Sequence, residues 1–190
     1  MLRFSRMTDL GTVAPGFSLP DAAGRMHSLM DFAGSKAVLV AFLCNHCPFV
    51  QHILDGFVKF ARDCQPRGLA IVGISSNDIA AYPDDAPDRM GELARSRGFP
   101  FPYLFDESQA VALAYGAICT PDFFLFDRDL RLVYRGQFDA SRPRSKVPVT
   151  GADMRAAADA VLAGKSVPAG QTASAGCSIK WKAGNAPEWA

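Results

Sequence analysis

The sequence lacks a hydrophobic run long enough to cross a membrane. Its longest uninterrupted apolar run extends from Ala37 to Cys44, whereas a membrane-spanning helix needs about 20 apolar residues. The start of the chain also lacks the apolar core of a secretory signal peptide, because Arg3, Arg6 and Asp9 interrupt it. These absences predict a cytoplasmic protein that is not embedded in a membrane.

The sequence has no excess of charge of either sign. Among its 190 residues, 20 Lys and Arg stand against 19 Asp and Glu, which gives a formal net charge of +1 at pH 7. This balance offers no long-range field that would attract nucleic acid or an anionic lipid surface. We therefore expect neither a nucleic acid nor a membrane as a partner.

Cysteine is scarce and odd in number. The five cysteines are Cys44, Cys47, Cys64, Cys119 and Cys177. A chain of this length can bury a core without covalent staples, and an odd count does not fit a framework of structural disulfides. The cysteines are therefore expected either to react in catalysis or to be buried in the core.

Hydrophobic patterning predicts an α/β domain in which strands and helices alternate. Residues 14–30 fit an N-terminal β-hairpin, and an amphipathic helix at 50–64 separates two buried strands at 37–43 and 69–74. The later segments are predicted as a helix at 88–97, a weak strand at 101–105, a short helix at 108–115, an antiparallel hairpin at 123–134 and a final helix ending at Leu162.

The composition divides the chain into a domain and a tail. The domain is predicted to span 12–163, followed by a C-terminal tail at 164–190. Within the tail, residues 169–176 are mostly Ala, Gly, Ser and Thr, which favours a flexible connector. The fold class expected is therefore α/β with an N-terminal hairpin and a C-terminal helix plus tail.

The motif Cys44-Asn45-His46-Cys47 lies where a buried strand gives way to a helix. Unpaired amides and the positive dipole end of a helix favour a thiolate over a thiol. Cys44, the first in sequence, is predicted to be the nucleophile, and Cys47 in the first turn is predicted to resolve the mixed disulfide. Protonated His46 would add a second stabilising charge to the Cys44 thiolate.

Metal binding is the main alternative for this motif, beside two cysteines that are merely buried. Two thiolates can hold zinc or another soft metal, and a nearby histidine can complete the ligands. The sequence contains no second C-x-x-C pair that would finish a zinc site. We therefore favour redox chemistry without a cofactor or bound metal, and keep a thiol-based carrier of copper or zinc as an alternative of another class.

Three segments of the sequence resemble the thioredoxin superfamily, and more closely its redoxin branch of peroxiredoxin-like and AhpC/TSA-like domains. They are 14–19 (Ala-Pro-Gly-Phe-Ser-Leu), 44–48 (Cys-Asn-His-Cys-Pro) and 119–126 (Cys-Thr-Pro-Asp-Phe-Phe-Leu-Phe). The resemblance implies a thioredoxin-like fold and a thiol-disulfide oxidoreductase that uses a Cys44/Cys47 couple. Its partners would be a disulfide-containing protein or small molecule as substrate, and a thiol reductant system for recycling.

The resemblance also implies a substrate-binding role for Thr120 and Pro121. In thioredoxin-like proteins, a Thr-Pro or Ile-Pro opposite the active cysteines carries a cis peptide bond, and Thr120-Pro121 occupies the matching place. Such a bond turns the chain sharply and leaves the backbone of the preceding residue free to pair with an extended peptide. We therefore expect Thr120 and Pro121 to align the substrate near Cys44.

Two features of the motif depart from thioredoxin-like reductases. A histidine before the second cysteine, here His46, is the pattern of disulfide isomerases and periplasmic disulfide oxidases. The buried acid that accepts a proton in thioredoxins would fall at Ala41, so that role is either absent or moved to another position.

A peroxiredoxin-like thiol peroxidase that reduces hydroperoxides is the alternative enzyme. Peroxiredoxins need a proline and a hydroxyl residue at fixed spacing before the cysteine that attacks peroxide. If Cys47 is aligned with that cysteine, those two places hold Val40 and Cys44. The peroxidase signature is therefore incomplete, although a low-pKa thiol still reacts slowly with peroxide.

The remaining cysteines differ in what their surroundings predict. Cys64 lies on the apolar stripe of its helix and is predicted to be a core residue. Cys119 precedes Thr120 and is equally compatible with a place near the active site or with simple packing. Cys177 follows the predicted flexible connector, so the tail either brings a third redox thiol to the pair or covers an apolar patch with Ile179.

A cluster of acidic residues at 84, 85 and 88 has no fixed register of metal ligands. Because Pro83 and Pro87 flank it, the sequence predicts a solvated acidic loop without a role in the site.

Overall fold

The structure is a computed structural model that describes residues 1–189, in which ten strands and four α-helices are found. The strands are β1 (Leu2–Phe4), β2 (Ser18–Pro20), β3 (Met26–Ser28), β4 (Ala37–Phe42), β5 (Leu69–Ser75), β6 (Tyr103–Phe105), β7 (Cys119–Thr120), β8 (Asp122–Asp127), β9 (Leu132–Gly136) and β10 (Ala175–Ser178). The helices are α1 (Pro48–Cys64), α2 (Pro87–Arg97), α3 (Ala110–Tyr115) and α4 (Ala152–Leu162).

A five-stranded mixed sheet in the order β6-β5-β4-β8-β9 lies at the centre of the fold. Strand β4 pairs in parallel with β5 and antiparallel with β8, while β6 extends the parallel half and β9 the antiparallel half. Every residue of β4 is buried, because both faces of the central strand are covered. The continuous apolar run of the sequence predicts this position correctly.

Two small sheets flank the central one. Strands β2 and β3 form the N-terminal hairpin that the sequence predicts. A three-stranded antiparallel sheet in the order β1-β10-β7 joins the two ends of the chain to the segment before β8. Strand β10 is therefore an inner strand with a partner on each side.

The core is divided between the two faces of the central sheet. On one face, Leu39 and Ala41 of β4 pack with α1, and on the other face Val38, Val40 and Phe42 pack with the hairpin and α3. Helix α1 is amphipathic because its apolar residues recur at helical spacing, and eight of them are buried. The helices thus fix the end of β4, where the cysteine motif follows.

The structure departs from the sequence-based expectation at both chain ends. Residues 2–4 form a strand that the sequence analysis does not predict. The segment 169–176, predicted to be a flexible connector, leads into β10, and both Ser174 and Ala175 are buried. The prediction of a flexible connector is wrong for its last residues, because backbone pairing with β1 and β7 holds a stretch whose composition alone favours flexibility.

Among the helices of residues 1–189, none combines the length and the apolar character needed to cross a bilayer.

Candidate active site

The cysteine motif lies between the end of β4 and the start of α1. Cys44 follows β4 closely, and Cys47 is the residue that caps the N-terminus of α1, with Pro48 as the first helical residue. Proline suits that position because its missing N–H needs no partner there. Both thiols are buried, with 1% of Cys44 and none of Cys47 exposed.

Thr120 contacts both sulfurs. Its hydroxyl Oγ1 lies 3.2 Å from Cys44 Sγ, and its carbonyl oxygen lies 3.1 Å from Cys47 Sγ, which donates to it when protonated. The Thr120-Pro121 peptide bond is cis, as the resemblance implies. The predicted site residues Cys44, Cys47, Thr120 and Pro121 are thus brought together at one end of the sheet.

The two thiols differ in acidity. The pKa of Cys47 is lowered from its ordinary value of 9.0 to about 5, chiefly by a hydrogen bond from Cys44 and further by the Val50 amide and by Cys177. The pKa of Cys44 is raised well above 9.0, because Cys44 shares that hydrogen bond with Cys47, is desolvated and lies near the charge of Asp85. This direction of the two pKa shifts favours Cys47 over Cys44 as the thiolate of the pair.

This order of acidity differs from the prediction that Cys44 carries the thiolate. Helix α1 begins at Pro48, so Cys47 is its N-cap residue and lies closer than Cys44 to the free amides of the first turn. The amide of Val50, in the first turn, therefore reaches Cys47 and favours its charged form. Cys44 precedes the helix and lies beside a carboxylate, so its own charge is disfavoured.

Asp85 is a site residue that the sequence analysis misses. It belongs to a short 3₁₀ turn before α2, and none of it is exposed. Its Oδ1 accepts from the backbone N–H groups of Asn45 (2.7 Å) and His46 (3.3 Å), and its Oδ2 accepts from His46 Nδ1 (2.6 Å) and Asn77 Nδ2 (2.8 Å). The prediction of a solvated acidic loop is wrong here, since this carboxylate clamps the motif loop.

His46 is held from two directions. Because Asp85 is an acceptor, Nδ1 of His46 carries the proton in this contact. The imidazole also stacks on Tyr82 with the ring centroids 5.1 Å apart and an angle of 15° between the planes. The predicted tuning residue therefore has a fixed orientation, which the segment between β5 and α2 provides.

Cys177 lies next to Cys47. Strand β10 places it opposite Thr120 in the antiparallel pairing with β7 and against the core cluster that contains Cys47, and its thiol helps to lower the pKa of Cys47. Burial, followed by the contact with Cys47, raises the pKa of Cys177 itself to about 11. The predicted third thiol is thus at the site, held by a strand rather than by a mobile tail.

The pairing of β10 also changes the environment expected for Thr120. The resemblance implies that the Thr120 backbone is free to pair with an extended substrate. In the structure this position is taken by Cys177. The expectation of a free backbone is therefore wrong, because the chain supplies its own strand there.

The other two cysteines are buried away from the hydrogen bonds of the pair. Cys64 packs in the core beneath α1, as predicted, and burial raises its pKa. Cys119 is fully buried, its thiol lies 3.7 Å from the carbonyl oxygen of Pro121, and burial raises its pKa well above 9.0. Both thiols therefore stay protonated at neutral pH.

Three ligand atoms at the site also lie close enough to hold a metal ion. One atom each from Cys44, His46 and Asp85 falls within 4.8 Å of the others. Both oxygens of Asp85 already accept hydrogen bonds, so a metal in this place would have to displace the contact between Asp85 and His46.

Comparison with known sequences gives one family. The sequence profile of the AhpC/TSA family matches residues 10–135. Rv2521 of Mycobacterium tuberculosis is provisionally named a peroxiredoxin. It is 31% identical to this chain over 117 residues, which cover 62% of this chain and 69% of Rv2521. Thiol-disulfide oxidoreductase ResA of Geobacillus thermodenitrificans is 27% identical over 120 residues, or 63% of this chain and 64% of its own.

Comparison with solved structures gives one fold. The hypothetical protein SMc02350 from Sinorhizobium meliloti is 54% identical and superposes with a TM-score of 0.94 over 95% of this chain and 99% of its own. A thioredoxin-family thiol:disulfide interchange protein from Chlorobium tepidum, 21% identical, superposes with a TM-score of 0.62 over 81% of this chain and 98% of its own. The fold is thioredoxin-like, as predicted.

Proposed function

The chain belongs to the AhpC/TSA family, and from that premise we propose that it is a thiol-disulfide oxidoreductase whose redox couple is Cys44 and Cys47. The observation that carries the proposal is the convergence of the two buried thiols on Thr120 at the start of α1, where its hydroxyl lies 3.2 Å from Cys44 Sγ and its carbonyl oxygen lies 3.1 Å from Cys47 Sγ. Two cysteines this close in sequence and in space can form a disulfide with little movement of the backbone.

The lower pKa of Cys47 supports an order of action for the two thiols. Cys47, as the thiolate, attacks a sulfur of the substrate disulfide and releases the first substrate thiolate. Cys44 then attacks the Cys47 sulfur, so that the second substrate thiolate leaves and a Cys44–Cys47 disulfide remains. This order reverses the one predicted from sequence, and a cytoplasmic thiol reductant would return the couple to its reduced form.

Asp85 and His46 support the couple through Cys44. The carboxylate lies within 4.8 Å of the Cys44 sulfur, and its negative charge favours the protonated form of that thiol. The loop that Asp85 clamps carries His46 between the two cysteines. We propose that Asp85 takes the place of the buried acid that the position of Ala41 lacks.

Trapping of mixed disulfides tests the couple and its order. With a disulfide substrate such as insulin, Cys47→Ser should abolish turnover and trap nothing. The double variant Cys44→Ser with Cys177→Ser should retain the substrate on Cys47, because neither neighbouring thiol remains to resolve it. Cys64→Ala, which removes a core thiol, should turn over normally.

Two results would contradict this scheme. Trapping by Cys47→Ser would restore Cys44 as the attacking thiol, while leaving the couple itself intact. Turnover by both single variants, Cys44→Ser and Cys47→Ser, would remove the couple altogether.

The low pKa of Cys47 supports a second candidate, reduction of hydroperoxides. In that reaction the Cys47 thiolate attacks the peroxide, is oxidised to sulfenic acid and then condenses with a neighbouring thiol to give a disulfide and water. Hydroperoxide consumption that is saturable and lost in Cys47→Ser would favour this activity. Consumption no faster than that of free cysteine would exclude it.

The cluster of Cys44, His46 and Asp85 supports a third candidate, a carrier of copper(I) or zinc. Reduced protein that retains one equivalent of either ion after dialysis, and loses it in Asp85→Asn, would favour the carrier. Protein that emerges free of metal would leave the redox proposals in place.

A further inference from the structure

Strand β10 is fastened on both sides of Cys177. Before the thiol, Ser174 Oγ donates to the carbonyl oxygen of Pro121 at 2.6 Å, and this serine is 2% exposed. After it, the N–H of Ile179 donates to the carbonyl oxygen of Ile118 at 2.8 Å. The strand therefore lies along the segment that holds the cis peptide bond, and cannot shift without breaking buried contacts.

Gly176 lies where β10 comes closest to the backbone of Thr120 and Pro121, and only glycine fits there. A Cβ atom at this position would lie 2.0 Å from the carbonyl oxygen of Thr120 and 3.1 Å from the nitrogen of Pro121. Both atoms belong to the backbone, so they cannot move aside as a flexible side chain would. The glycine before Cys177 thus lets β10 come close enough to bring that thiol to Cys47.

Cys177 also has a cation that offsets a small part of the effect of burial on its charged form. The ammonium group of Lys180, two residues beyond β10, lowers the pKa of the thiol, against the effects of burial and of the Cys47 contact. When Cys47 is bonded to another sulfur it no longer carries a charge, so the repulsion from Cys47 disappears. One of the effects that disfavour the Cys177 thiolate is therefore removed at the stage when Cys47 holds a substrate, while burial continues to raise its pKa.

We propose that Cys177 is a second resolving thiol, which β10 delivers to Cys47 by occupying the strand position beside Thr120 and Pro121. The proposal rests on the function proposed above, in which Cys47 attacks the substrate.

The chemistry of this step balances without a further reagent. Cys47 first forms a mixed disulfide with one half of the substrate, and the other half leaves as a thiolate. Cys177 then attacks the Cys47 sulfur, the bond between Cys47 and the substrate breaks, and the second half leaves as a thiol with the proton from Cys177. The product is a Cys47–Cys177 disulfide, with the two electrons transferred to the substrate.

The trapping experiment separates Cys177 from Cys44 as resolving thiols. After one addition of a disulfide substrate, Cys44→Ser should release it and carry a Cys47–Cys177 disulfide in its peptide mass map. Adding Cys177→Ser to that variant should raise the trapped fraction at least about tenfold, because the neighbouring thiol reacts with the advantage of proximity. Cys64→Ala in the same background should not raise it.

The outcomes for the two proposals differ. If Cys44→Ser traps as much substrate as the double variant, Cys177 is not a resolving thiol, although the Cys44/Cys47 couple stands. If the double variant traps no substrate, the earlier proposal that Cys47 attacks the substrate is wrong.

A pair of glycine substitutions tests whether the strand delivers the thiol. Gly176→Ala should displace β10, and thereby abolish the Cys47–Cys177 disulfide in the Cys44→Ser background and raise the alkylation rate of Cys47 about tenfold or more. Gly170→Ala, in the same tail but with open space around its Cβ, should leave both unchanged. A full yield of the disulfide in Gly176→Ala would overturn the role given to β10.

Discussion

Asp85 holds a negative charge out of water beside the motif loop, and its four hydrogen bonds make that possible. Each of its oxygens accepts from two donors, so all four donors point at the carboxylate. Bonds to a charged group are worth more than neutral ones, and leaving one partner unpaired in the interior is costly. The carboxylate therefore both fixes the loop and sets the electrostatic environment of Cys44.

Replacement of the Asp85 carboxylate should lower both the free energy of unfolding and the pKa of Cys44. In Asp85→Asn, either orientation of the amide turns an NH2 group toward two donors, so we expect a loss of about 2–4 kcal/mol of unfolding free energy. The pKa of Cys44 should fall, since the charge of Asp85 contributes to raising it. Chemical denaturation and thiolate absorbance measure the two effects.

Asp84→Asn is the matched control, because Asp84 belongs to the same turn and is exposed. Equal effects of the two substitutions would show that general charge, rather than the buried contacts, is responsible.

The lowered pKa of Cys47 should make stability depend on pH. The folded protein loses this proton near pH 5 and the unfolded chain near the ordinary value of 9.0. Since the unfolded state binds more protons between these values, the stabilising contribution of Cys47 is complete above pH 9.0 and is lost as the pH falls toward 5. Denaturation of reduced protein at several pH values measures this slope.

The comparison with Cys47→Ala isolates that slope from other groups. Asp122, whose pKa burial raises to about 7, contributes with the opposite sign over part of the same interval, but it is present in both proteins. The difference in stability between wild type and Cys47→Ala should shrink as the pH is lowered. A difference that stays constant from pH 9 to pH 5 would mean that Cys47 keeps an ordinary acidity.

The sequence predicts the cysteine pair, His46 and the Thr120-Pro121 segment as neighbours, because local spacing and a family motif mark them. It does not predict Asp85, since a carboxylate between two prolines resembles any exposed turn. Its burial depends on contacts with residues 39 and 40 positions away in sequence, and local patterns carry no information on such contacts.

At the scale of the elements, α1 connects the site to the core through Phe57. This ring is fully buried and contacts four other aromatic rings: Phe60, Phe101, Phe123 and Phe138. The contacts come from α1, the start of the β6 region, β8 and the segment after β9. Phe57 therefore holds the helix that carries Cys47 against the sheet.

Truncation of this ring should destabilise the protein by about 3–5 kcal/mol, because Phe57→Ala removes the transfer free energy of the ring and leaves a cavity. Lys59→Ala, at an exposed position of the same helix, should change the unfolding free energy by no more than about 0.5 kcal/mol. Urea denaturation of the two variants checks this, and a loss below about 1 kcal/mol for Phe57→Ala would mean that the core closes over the gap.

The central strands and helices are predicted correctly because each has a strong hydrophobic pattern within its own residues. Strand β4 has an unbroken apolar run, and α1 has an apolar stripe. Strands β1 and β10 have three and four residues, too few to establish a period of two. Strand β1 pairs with β10 and β10 pairs with β7, so their pairing depends on residues far away in sequence and only the folded chain reveals it.

At the scale of the whole molecule, the tail completes the sheet beside the site. Ile179 is buried in the core on the face with α3, and Trp181 packs against it. Residues 175–181 of the segment that composition predicts to be a separate tail thus share a sheet and a core with the rest of the chain. Removing it would expose apolar surface and leave β1 and β7 without their common partner.

Deletion of 165–190 should therefore lower the midpoint of thermal unfolding and increase the binding of a hydrophobic dye. A shorter deletion of 184–190 retains β10, Ile179 and Trp181, and should have a smaller effect. If the long deletion melts like the intact chain, the tail is an accessory of the domain rather than part of its core.

Because β10 lies near the end of the chain, its pairing between β1 and β7 also determines when the three-thiol site can be completed during synthesis. The hydrogen bond between Ser174 and Ser5 joins residues 169 positions apart, so it needs both ends of the chain to be present. During synthesis the motif and β7 emerge well before Cys177, so Cys47 has Cys44 as its neighbour before the third thiol exists. A ribosome-bound chain that ends before residue 177 would thus present a two-cysteine site, and the three-thiol site can form only after the C-terminal segment has been synthesised.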